Sequence, residues 1–129
     1  MSQTARGNFT VDLSQRPHDP DAEGLGVLQL RKTWSGDVEA TGWGLMISAG
    51  DPAAGSAGYV AMEVVQGSVG GRAGSLALQQ FGTMRDGVPG LTYEIVPGSG
   101  TGDLAGISGT VDLTIEDGAH HYALAYDLP

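Results

Sequence analysis

The chain has 129 residues, 22 of them glycine, and 15 acidic against six basic residues give it a formal charge of −9. Charged residues make up 16% and apolar ones 40%, the balance of a chain that folds, and the length suits one domain over residues 1–129. The cations (Arg6, Arg16, Arg31, Lys32, Arg72, Arg85) are scattered, which disfavours nucleic acid and anionic membrane surfaces, and the absence of cysteine removes disulfides, thiolate nucleophiles and Cys-type zinc sites. No apolar run approaches the ~20 residues that span a bilayer. Met1 to Thr10 lacks the apolar segment of a secretory signal, so a cytoplasmic location is expected.

Along the chain, apolar residues repeat with period two, as in Phe9, Val11, Leu13 and in Val111, Leu113, Ile115, the pattern of strands with one face inward. Turn signals at Pro17–Gly24, Ser35–Asp37, Gly50–Gly55, Gly67–Gly71, Asp86–Gly87, Pro97–Gly102 and Asp117–Gly118 divide the chain into eight predicted strands. These run over 5–14, 25–34, 38–49, 57–66, 72–84, 90–96, 103–116 and 119–128. The short links favour an antiparallel meander, and eight strands avoid exposed edges by closing on themselves. The expected fold is therefore all-β, a closed eight-stranded antiparallel up-and-down barrel, with a two-sheet sandwich as the alternative. Glycine density over Pro97–Gly109 denies that stretch a helix, while Leu104 and Ile107 give it something to bury, which predicts a sharply bent strand entry. The loops at Asp19–Gly24 and Gly50–Gly58 are expected to flank a barrel mouth.

Three segments carry a family resemblance. Gly98–Gly109 (GSGTGDLAGISG), Trp34–Glu39 (WSGDVE) and Gly70–Gln80 (GGRAGSLALQQ) resemble, in order, signature stretches of the DUF3224 family, small bacterial proteins of unassigned function. The likeness spans Phe9 to Tyr126. It implies an allene oxide cyclase-like barrel, a homodimer, and an inward-facing Glu63. It also implies a histidine where this chain has Gln80, a residue that can orient a ligand but cannot titrate.

Glu63 is the most informative ionisable residue. It lies in Tyr59–Gln66 (YVAMEVVQ), where either strand parity surrounds the carboxyl with weakly polar groups, the setting that tunes a carboxyl for proton transfer. It is the candidate catalytic residue; the competing reading is a rim carboxylate, or a buried structural one held by Arg72 across the hairpin. Trp43, Tyr59, Leu78, Gln80, Tyr93 and Tyr126 are the candidate substrate-binding residues of the lumen wall, where tyrosine rings pack and hydroxyls reach a ligand. His120 and His121 point to opposite faces of a strand and cannot share a metal. His18, beside Asp19 and Asp21, shows no metal-ligand spacing, so no metal is expected. Gly98–Ser99–Gly100 opens no strand-to-helix turn, and no glycine-rich loop precedes a helix, so neither a serine nucleophile nor a phosphate-binding cofactor is expected.

Three functions fit these residues: a cofactor-free isomerase or cyclase acting on an apolar metabolite in the lumen, a lipophilic-ligand carrier of the same shape, and a structural dimeric barrel. The outward Val60, Met62 and Val64 favour burial against a second copy.

Overall fold

A computed structural model describes residues 2–17, 21 and 23–129. Eight strands follow one another in a closed antiparallel barrel in sequence order: β1 (Ser2–Gln15), β2 (Leu25–Gly36), β3 (Val38–Asp51), β4 (Ser56–Val69), β5 (Arg72–Arg85), β6 (Val88–Ile95), β7 (Ser108–Glu116) and β8 (Ala119–Asp127). The barrel expectation holds, with β1 closing on β8 from Ser2 opposite Asp127 to Phe9 opposite His120. Three connections are two-residue turns, Gly70–Gly71, Asp86–Gly87 and Asp117–Gly118. All six residues have positive φ, the geometry that matches the twist of the flanking strands.

Seven strands match their expected spans to within three residues at each end, and one departs further. The seventh begins at Ser108 rather than near 103, because Gly102–Leu104 forms a short 3-10 turn and the whole connection from Val96 folds under the barrel. Leu104 and Ile107 are 1% and 2% exposed there and seal that end. The same connection takes the place that the short β6 leaves beside β5. Val96 N–H donates to Ala77 O, Thr101 N–H to Ser75 O, and Ala77 N–H to the Ser99 hydroxyl.

The two ends of the barrel are therefore unlike. At the sealed end, Ala5, Val38, Val69, Leu76, Ile95 and Tyr126 pack around Leu104 and Ile107. There Asp37 ties neighbouring turns together, its carboxylate accepting from Arg6 N–H and its carbonyl from Gly70 N–H. At the other end, side chains of inward parity are left uncovered. Leu13 lies opposite buried Leu30, Leu91 opposite buried Gly82, and Ile115 opposite His120, yet they are 53%, 43% and 61% exposed. One seam is also incomplete: β6 and β7 share a single pair, Glu94 opposite Thr110, whereas every other seam runs eight residues or more. Toward the uncovered end β6 and β7 form no further ladder pairs. Pro89 and the acids Asp112, Glu116 and Asp117 stand along this gap, features that discourage strand addition at a free edge.

Candidate functional site

Alternation along β2 turns Leu28, Leu30, Lys32 and Trp34 inward, and alternation along β4 turns in Tyr59, Ala61, Glu63 and Val65. Lys32 and Glu63 thus meet inside the barrel although β3 runs between their strands. Gly42 is the reason. It is the β3 residue opposite Lys32 on one side and Val65 on the other, and a methyl group built on it would overlap Oε2 of Glu63. The missing side chain is the space the carboxylate occupies.

The resulting cluster is dry, and each of its polar atoms has a partner. Lys32 Nζ donates to Glu63 Oε1 at 2.9 Å and to the Tyr93 hydroxyl at 2.9 Å, and the Tyr93 hydroxyl donates to Glu63 Oε1 at 3.4 Å. Trp34 Nε1–H donates to Glu63 Oε2 at 3.0 Å. The Lys32 and Glu63 side chains are 4% and 1% exposed. The ammonium also lies 4.5 Å from the Phe9 ring centroid, 5.2 Å from Tyr93 and 5.5 Å from Trp34, so aromatic faces supply negative potential around it. Phe9 is in turn opposite Trp34 and stacks on His120. Such a pair is expensive to desolvate and stands only when its hydrogen bonds are complete. Among the described residues no buried side-chain nitrogen or oxygen lacks a partner. Burial, followed by the negative charge of Glu63 and the hydrogen bond to it, holds the Tyr93 phenol well above the usual tyrosine range.

Above this floor sits a second polar pair. Gln80, directly opposite Ala61 and Tyr93, accepts at Oε1 from the Tyr59 hydroxyl at 2.7 Å. Tyr59 reaches it by lying across Gly82, where a methyl group would collide with the ring. Partial burial raises the Tyr59 pKa, so this phenol is a donor at neutral pH.

The structure sorts the expected site residues. Glu63, Leu78, Gln80, Tyr93 and Tyr59 converge on the same part of the lumen, with Leu78 opposite both Glu63 and Ile95. Tyr126 is inward but belongs to the sealed end, where its hydroxyl donates to Gln3 Oε1 at 3.2 Å. Trp43, expected on the lumen wall, stands on the outer face and is 44% exposed, because Gly42 and Gly44 hold the inward parity of β3. The partner of Glu63 is Lys32 rather than Arg72, which is exposed beside the β4–β5 turn. Lys32, Trp34 and Tyr93 enclose the Glu63 carboxylate. A concavity of about 340 Å³ lies at the rim, bordered by Asn8–Val11 and Gly118–His120, and one of about 360 Å³ lies on the outer wall against Val60–Met62, Gln79–Phe81, Thr92 and Glu94. His18 and Asp19 lie outside the described residues. Among the described residues no three His, Asp or Glu side chains are grouped to hold a metal, and no helix is long and apolar enough to cross a membrane.

Fold and site together define a small antiparallel β-barrel, sealed at one end, with a buried ion pair at mid-depth. The chain belongs to the DUF3224 family, described as a protein family of unknown function, whose model matches residues 5–126. It is similar over its whole length to the crystal structure of a DUF3224 protein of unknown function from Shewanella oneidensis MR-1, at 40% identity and a TM-score of 0.91, covering 99% of that chain. No curated protein matches it.

Proposed function

We propose that this barrel is a small-molecule-binding protein that receives a mostly apolar molecule at its uncovered end and stops it above the Lys32–Glu63–Tyr93 floor. The observation that carries this reading is the pairing of opposites along one lumen: Leu13, Leu91 and Ile115 face inward yet are exposed, directly above a layer where even charged groups are dry. Uncovered apolar surface of inward parity costs about 25 cal/mol for each Å², a cost that an apolar ligand covering it removes. A metabolite retained through purification from the native host, detected by native mass spectrometry and lost on extraction with organic solvent, is the expected result. A ligand-free mass that stays unchanged when medium-chain alcohols and ketones are added would overturn the reading.

The same geometry favours carriage over turnover. An acid or base must come within hydrogen-bond reach of the proton it moves, and the positions around the Glu63 carboxylate are taken by Lys32, Trp34 and Tyr93. An isomerase or cyclase would have to open this cluster to bring a substrate within reach of the carboxylate. Conversion of a candidate substrate that is abolished in Glu63→Gln while binding persists would restore the enzymatic reading.

A second observation supports a homodimer. On the outer face, Trp43 stands opposite Val64, Leu45 opposite Met62, and Ile47 opposite Val60, all between 41% and 55% exposed. Two copies that each carry a charge of −9 repel one another except across a face without acids. This strip is such a face, and a second copy is its occupant. Sedimentation equilibrium should give a dimer that Met62→Glu converts to a folded monomer; a wild-type monomer would remove the proposal.

A further inference from the structure

The polar groups that an entering molecule meets select its chemistry. Resting on the binding reading above, we infer that the Tyr59–Gln80 pair is a specificity site for an uncharged ligand with a carbonyl or other neutral acceptor at its leading end, and that it discriminates against carboxylates. Gln80 Oε1 is engaged by the Tyr59 hydroxyl, which leaves the Nε2 donors of the amide free. Gln80 has inward parity and is partly exposed, one inward position nearer the uncovered end than Leu78, which lies opposite Glu63. The arrangement is built: Gly82 has no side chain where the Tyr59 ring must lie, and Gln80 is directly opposite Tyr93, whose hydroxyl belongs to the floor. A ligand acceptor held by Nε2 would therefore sit one residue layer above Glu63.

Charge points the same way. The Lys32 ammonium is committed to Glu63 and Tyr93, and its aromatic surroundings close off the remainder. At the depth of Gln80 an entering carboxylate would meet an amide and a phenol, with the exposed Arg16 and Arg85 out at the rim and the Glu63 charge beneath it, and burying an unpaired anion is far costlier than burying a hydrogen-bonded carbonyl.

The test compares 2-octanone with octanoate, equal in chain length, by amide-shift titration at pH 8 against the wild type, Gln80→Leu and Tyr59→Phe. The ketone should bind about tenfold or more tightly than the carboxylate, and Gln80→Leu should bring the two within about twofold by weakening the ketone alone. Tyr59→Phe keeps the ring over Gly82 and frees the amide to turn, so it should lose part of the preference even if Gln80→Leu fails to fold. Equal or tighter binding of octanoate, or an unchanged preference in both variants, would overturn the inference while leaving the binding reading intact. Binding of neither compound would overturn both.

Discussion

Breaking the ion pair should cost far more than a pair of its sequence separation on a protein surface. Lys32→Met leaves the Glu63 carboxylate at 1% exposure with only the neutral donors Trp34 and Tyr93, and Glu63→Gln leaves an ammonium at 4% exposure facing an amide. Removal of one member of a buried pair costs about 3–5 kcal/mol, against about 0–1 kcal/mol for an exposed pair. The total stability of a domain is about 5–15 kcal/mol, so either single variant should be markedly weakened. The double variant removes both charges and should cost clearly less than the sum of the singles, giving a coupling energy of about 2–3 kcal/mol. Urea unfolding at pH 7 measures all four proteins, provided the dependence on denaturant stays constant across the set. Single-variant losses under about 1 kcal/mol that simply add would show that the two charges are solvated or apart, and the reasoning built on their burial would fail.

Three further outcomes follow from the same geometry. Gly42→Ala should destabilise by about 1–3 kcal/mol in thermal or urea unfolding, because its methyl competes with the Glu63 carboxylate for one space; a change within 0.5 kcal/mol would refute that account. Tyr93 should ionise after Tyr59 and Tyr122 in a 295 nm titration, and since its folded pKa is raised, the native state holds a proton that the unfolded state loses above about pH 10. Stability is then fully present below that pH and falls as pH rises through it, and Tyr93→Phe should lessen the fall; an identical alkaline profile would count against the buried hydroxyl. Amide exchange should be fast along the β6-facing edge of Asp112–Glu116 and slow through β3 and β4, whereas uniform protection would show the seam to be closed.

Much of the architecture was legible because local signals agreed with one another. Period-two alternation marked the strands, and Asp86–Gly87 and Asp117–Gly118 fixed two-residue hairpins whose positive φ values the structure contains. The start of β7 was misread because Leu104 and Ile107 bury as a strand's residues would, while their backbone forms a plug. Lys32 was passed over, although Leu28, Leu30, Lys32 and Trp34 place it on the inward face of β2. Its meeting with Glu63 depends on reaching across an intervening strand through the gap at Gly42, and no rule of neighbouring strands announces that. Trp43 stands outside for the related reason that its neighbours Gly42 and Gly44 hold the inward parity at that depth of β3, so the strand's largest side chain belongs to the outer face.

The central claim is that the lumen above the ion pair, and not the apolar outer sheet, receives the ligand. Methyl chemical-shift mapping with 2-octanone tests this most directly. Shifts at Leu13, Leu91, Leu113 and Ile115, with Val60, Met62 and Val64 unmoved, are predicted; shifts confined to the latter three would contradict the account.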